Sequence, residues 1–203
     1  MDAFLTGVFA GYGIAIPVGA ISVLIIDVGI RRGFGPGFSA GAGAATADGL
    51  YAALAVIGGA ALADAIESIG RPLAIVSGLV LAGIAMVGLA RVRRAGARPE
   101  QPKDGNRDLA QTYARFLGLT IINPTTVVYF AAVVIGLGLA AGMTAGEGVL
   151  FVAGASLASL SWQASIAGVG ALVRRRLRPG WRTVVSVVGN LIILGLALFI
   201  LFR

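Results

Sequence analysis

Residues 3–26 read AFLTGVFAGYGIAIPVGAISVLII, 24 positions without a charge between Asp2 and Asp27. A bilayer core about 30 Å thick needs roughly 20 apolar residues in helical form, so this stretch predicts a membrane span. Near its middle stands Pro17, which removes a backbone donor and leaves a carbonyl unpaired one turn earlier. Gly13 and Gly19 loosen the same segment. In lipid, such a break is tolerated where protein or a wet cavity satisfies the freed groups. Two readings stand at this point: a broken helix lining a solute path, and a proline kink used for packing.

Five further stretches meet the same length test: about Pro36 to Ala63, Pro72–Ala90, one within Phe116–Gly146, Gly148–Val173 and Thr183–Phe202. The 203 residues are 58% apolar and 12% charged, against about 25% charged in a globular domain, so a soluble surface could not be covered. Thirty-one glycines suit close helix packing in lipid better than a flexible linker. The expected fold is therefore all-α, a polytopic membrane protein of six transmembrane helices. The chain opens Met1-Asp2 with no basic segment ahead of the apolar run, so the first span is expected to be retained rather than cleaved as a signal.

The net charge of +7 would suggest nucleic acid in a soluble protein, but the charges sit in short runs between apolar stretches. Fourteen of the 16 basic residues fall in the connections after the first, third and fifth spans. Three separate loops agree, and the positive-inside rule makes their side cytoplasmic and places both termini outside. No nucleic-acid partner is expected. Residues 91–111 form the one long polar loop. It divides spans one to three (1–90) from spans four to six (112–203), and three spans per half requires that repeated halves be inverted. With no cysteine and no histidine, disulfides, thiol chemistry, Cys/His metal sites and Ser-His triads are excluded. Neither a metal nor a cofactor is expected.

Asp48 is the sharpest single residue. Its nearest charged neighbours, Arg32 and Asp64, are each 16 positions away, too far for so short a side chain to reach either interface. An ionised Asp at a helix centre costs about 2.5–3.5 kcal/mol even on the lenient insertion scale. Such a group faces a cavity or another polar group, and it suits a carrier of protons. Asp27, four residues before Arg31, is explained by an i,i+4 ion pair. Asn123-Pro124 repeats the helix-break theme with an amide that can cap freed backbone or bind a polar ligand. Ser156, Ser159 and Gln163 form one stripe of span five, with Gln163 the candidate to touch a solute. Asn190 in span six is ambiguous in the same way. Gly7 with Gly11, and Gly37 with Gly41, permit close helix approach within one subunit or across a homodimer.

These features together resemble the lysine exporter / homoserine–threonine exporter family of bacterial inner-membrane amino-acid exporters, over the whole chain. Pro17-Val18-Gly19 stands where that family has Pro-Gly-Pro, and Arg31-Arg32-Gly33-Phe34 followed by Gly37 and Gly41 is similar to its glycine-spaced start of span two. Ala47-Asp48 stands where the family has Gly-Asp. Phe116-Leu117-Gly118-Leu119 leading to Asn123-Pro124 is similar to the approach to its Asn-Pro-Lys motif, with Thr125 in place of the lysine.

The resemblance implies export of a small solute of the amino-acid class from the cytoplasm across the lipid bilayer, driven by the proton gradient. Pro17, Gly19, Asp48, Asn123, Pro124 and Gln163 are the expected substrate and proton path. A non-transporting membrane scaffold or accessory protein is the alternative. An intramembrane aspartyl protease would need Asp27 buried beside Asp48, which its pairing with Arg31 argues against.

Overall fold

A computed structural model describes residues 2–16, 19–95, 105–123, 126, 130, 143–176 and 179–202. Among the described residues the regular structure is helical: α1 (Ala3–Ala15), α2 (Ala20–Arg32), α3 (Phe34–Ala95), α4 (Gly105–Ile121), α5 (Ala145–Arg176) and α6 (Pro179–Phe202). Phe34–Gly58 and Ala145–Arg174 are long and apolar enough to cross a membrane. The pair α1 and α2 makes a third span if taken as one broken helix, and Ala74–Ala90 and Val187–Phe202 are shorter apolar helices. The chain is an integral membrane protein.

Local chemistry accounts for the helix ends. The Asp2 carboxylate accepts from the Phe4 N–H at 3.1 Å and caps α1. At the start of α5, Glu147 accepts from the Thr144 N–H at 2.9 Å while the Glu147 N–H approaches Thr144 Oγ1 at 3.4 Å, a reciprocal capping box. Helix α1 stops at Ala15 and α2 restarts at Ala20, their axes inclined by 79°. The break falls where the sequence places it; Pro17 itself lies outside the described residues, as does Pro124.

Two segments differ from the sequence expectation. Residues 36–63 and 72–90, expected as separate spans, belong to one helical run with Pro72 inside it. That run is not a straight rod. Gly43 packs on Tyr113 and Leu117 of α4, while Val80, Ile84 and Val87 share a cavity wall with Phe116 and Leu119 of the same helix. Straight, the stretch from Gly43 to Val80 would reach about 55 Å, so α3 doubles back and flanks α4 with both its arms. The second difference is α4. Helix claims residues 91–95 and 105–111 of the stretch expected as loop. Its polar composition hides an amphipathic helix whose Phe116 and Leu119 are buried while Arg115 is exposed.

Helix α5 packs against α1, α2 and α3, and α3 in turn packs against α2, α4 and α6. Small residues make that possible. A Cβ at Gly7 would strike the Phe151 backbone, and one at Gly11 would lie 2.8 Å from Ala155 Cα and 2.9 Å from Ala158 Cβ. From the other side, Gly154 meets the Phe4 backbone and Gly170 meets that of Ile26. The larger core joins Ile21, Leu24 and Ile25 of α2 to Ala40, Ala44, Leu81 and Ala85 of α3, Phe116 of α4, Ala167 of α5 and Ile193 of α6.

Gly11→Ala should therefore lower the stability of the detergent-solubilised protein by about 1–3 kcal/mol through overpacking. Gly13→Ala, whose added methyl meets nothing within 4 Å, should be neutral or stabilising by up to about 1 kcal/mol from helix propensity. Thermal unfolding of both variants beside the parent checks the pair.

Candidate functional site

Two polar regions stand out inside the apolar bundle. The first is a seam between α3 and α5, which run antiparallel: Gly41 lies against Gln163, Gly49 against Ser156 and Val56 against Gly148. Where the backbones come this close, short polar side chains can meet. Asp48 is 4% exposed and Ser159 fully buried, and Ser159 Oγ donates to Asp48 Oδ2 at 2.6 Å. One turn along α5, Gln163 is buried, and its Oε1 has no hydrogen-bond partner among the described residues. The expected stripe of Ser156, Ser159 and Gln163 does face α3.

One turn along α3 from Asp48, the Tyr51 hydroxyl donates to the carbonyl of Ile121 at 2.5 Å, and its ring stacks on Phe130 with centroids 5.5 Å apart. Ile121 is the last residue of α4, so Tyr51 takes up a carbonyl freed where that helix ends. Asn123 follows, with its N–H donating to the Thr120 carbonyl and its side-chain Nδ2 to Thr126 Oγ1, both at 3.1 Å. The Asn123 amide thus braces its own helix break. Asp48 and Tyr51 carry the seam from α5 to the end of α4, which brings Asp48, Gln163 and the Asn123 region into one neighbourhood. Gly19, at the start of α2, has open space beside it and takes no part in the described seam contacts.

The second region is a cavity of about 380 Å³ between α2, the returning arm of α3, α4 and α6. Its walls are apolar, with Leu24, Val28, Ile84, Val87, Phe116 and Leu119. Asp27, Arg31, Arg32, Arg115 and the buried Asn190 also line it. Arg31 lies 3.9 Å from Asp27, the i,i+4 pair read from the sequence. Arg32 forms an ion pair with Asp108 and donates to Thr112 Oγ1 at 3.1 Å, tying the end of α2 to the start of α4. Asn190 presses on the backbone of Gly88, where no side chain could fit. Gly19, Asp48, Asn123 and Gln163 do not line this cavity. Its wall at Leu119 comes within one helical turn of the α4 break.

Sequence reasoning read Asp27 and Arg31 only as an interfacial anchor and gave Arg32 and Arg115 to topology. That they line a cavity depends on how α2, α3, α4 and α6 pack together, which no local pattern announces. Tyr51 was also passed over. Its signal was available: a phenol one turn from a buried acid inside a span.

Comparison with known proteins supplies independent context. The family model described as LysE type translocator matches residues 13–203. A chemotactic transduction protein, ChpE, of Pseudomonas aeruginosa is 28% identical over 200 residues, covering 96% of this chain and 95% of the relative. No solved structure matches the chain.

Removing the Ser159 hydroxyl leaves a buried carboxyl short of a donor. Ser159→Ala should cost about 1–3 kcal/mol of stability, and much less in an Asp48→Leu background, where no carboxyl remains to be satisfied. A double-mutant cycle followed by unfolding in detergent measures the coupling. Equal costs in both backgrounds would show that the Ser159–Asp48 contact carries no energy.

Proposed function

The chain belongs to the LysE type translocator family, and from that premise we propose that it exports a small amino acid or a close derivative from the cytoplasm in exchange for protons. Translocator membership makes it a membrane transport protein; solute, coupling and direction are the reading developed below.

One observation carries it: the cavity of about 380 Å³ is lined by one aspartate and three arginines beside apolar walls. A zwitterion needs both charges. Asp27 suits an ammonium group, and Arg31, Arg32 and Arg115 suit a carboxylate, where a guanidinium can bind two oxygens at once. The apolar residues suit an uncharged side chain. A second ammonium, as in lysine, would meet three guanidiniums against one carboxylate, so the lining favours neutral amino acids over basic ones.

In this reading the chain has six spans in two inverted halves joined by the basic segment 91–111. The basic connections are cytoplasmic, both termini are outside, and the membrane is the bacterial inner membrane. The cavity then receives solute from the cytoplasmic side. The path then leads past Leu119 to the end of α4 near Asn123 and to the seam of Asp48 and Gln163, with Pro17, Gly19 and Pro124 its further expected members. Helix ends at broken spans offer backbone dipoles to the solute's charged groups. Asp48, released from Ser159, takes a proton in alternation with solute. Gln163, whose Oε1 has no hydrogen-bond partner among the described residues, offers an acceptor along the same seam.

A second reading, a non-transporting accessory protein, draws on the name of the Pseudomonas relative, a chemotactic transduction protein, and on the closed Asp48–Ser159 contact. Transport itself discriminates between the two. Proteoliposomes preloaded with labelled amino acids should release a neutral one when a proton gradient is imposed. Asp48→Asn should reduce that gradient-driven release by tenfold or more. Undiminished release by Asp48→Asn would remove the proton role, and release of no amino acid would favour the accessory reading.

A further inference from the structure

A second cavity, of about 530 Å³, opens on the opposite side of Arg32, between the α2–α3 junction and the last turns of α5. Arg32 and Arg174 supply its charge, and Gly33, Gly168 and Ala171 supply small side chains. Its two large apolar members, Phe34 and Leu172, are 52% and 54% exposed. Gly33 has φ +96°, and a Cβ there would lie 2.6 Å from an Arg174 guanidinium nitrogen. The positive φ and the room above it both require glycine. The result is that the Arg174 guanidinium lies across the chain immediately after Arg32.

We propose that this groove binds an anionic phospholipid, with its phosphate held by Arg32 and Arg174 and an acyl chain laid along Phe34 and Leu172 over the small-residue floor. Three observations converge on that ligand. The two guanidiniums belong to residues at the ends of apolar segments, Arg32 closing α2 and Arg174 closing the span Ala145–Arg174, and the ends of a span are where lipid headgroups begin. Each guanidinium has five N–H donors, so the contacts of Arg32 with Asp108 and Thr112 still leave donors for a phosphate oxygen. The apolar rim continues away from the charges: Phe34 stacks on Phe38 with centroids 5.7 Å apart, and Phe38 is itself 38% exposed. A soluble anion would use the guanidiniums and leave that aromatic edge unexplained. A lipid uses both, and basic pockets between helices on the cytoplasmic side hold lipid headgroups for this reason. Arg32 also lines the cavity of about 380 Å³, so the groove and that cavity share a wall residue.

The test is native mass spectrometry of the full chain in neutral detergent, titrated with phosphatidylglycerol or phosphatidylcholine of matched acyl chains. The protein should retain phosphatidylglycerol in preference. Arg174→Gln should weaken that retention about fivefold, the scale of one basic residue at an anionic surface. Gly168→Leu, which keeps both guanidiniums but fills the floor, should weaken it similarly. Arg71→Gln, at an arginine that does not line the groove, should leave it unchanged. Equal retention of the two lipids, or wild-type retention by Arg174→Gln, would overturn the site. So would loss in Arg174→Gln with none in Gly168→Leu, which would make the effect one of surface charge. A thermal shift from inorganic phosphate equal to that from phosphatidylglycerol would assign the groove to a free anion instead.

Discussion

Backbone contact with a single helix, α5, is the constraint on which the rest of this bundle depends. In lipid there is no hydrophobic gain from pressing helix on helix, so association rests on van der Waals packing and on polar contacts the lipid cannot supply. Helix α5 provides the surface, and glycines at positions 7, 11, 29, 41 and 49 of α1, α2 and α3 let their backbones reach it. The buried acid follows from this spacing. Asp48 has a short side chain, and Ser159 a shorter one. They meet at 2.6 Å because Gly41 and Gly49, either side of Asp48, bring α3 down onto α5. A bulkier residue at Gly41 would press on the Gln163 backbone, and one at Gly49 on the Ser156 hydroxyl.

The same packing separates two kinds of polar surface. The seam of Asp48, Ser159 and Gln163 is buried, with Tyr51 half-buried at its end. The cavity beside it is open and carries both signs of charge. Between them lies the C-terminal end of α4, whose freed carbonyl is held by Tyr51 and whose next amide is braced within its own segment. The ties of Arg32 to Asp108 and Thr112 hold the other end of α4, so this helix is gripped at both ends by polar contacts that a charged solute could exchange.

Much of the fold was legible because lipid imposes a simple grammar. Charge-free runs mark helices, and basic clusters mark connections. Proline with flanking glycine marked the break between α1 and α2, and the spacing of Asp27 and Arg31 marked their pairing. The stripe of Ser156, Ser159 and Gln163 gave the face of α5 that meets Asp48. What stayed hidden was tertiary. Helix α4 was taken partly for loop because its polar half is a solvated face. The continuity of α3 through Pro72 was masked by the interfacial charge of Arg71. The cavity escaped entirely, since its lining comes from residues 24 to 190 on four helices and a helical period reveals a face without naming its partner. Arg115 illustrates the point: in sequence it bounds a span, and in the fold it lines the cavity.

The central claim is that the charged cavity takes the solute from the basic side of the membrane. The chain has no native cysteine, so one introduced at Val87 in the cavity wall is an unambiguous reporter. In vesicles of known orientation, a membrane-impermeant thiol reagent should label Val87→Cys from the side that bears the basic connections, and a transported amino acid should slow the labelling. Labelling from the opposite side alone, or a rate that no amino acid changes, would contradict the account.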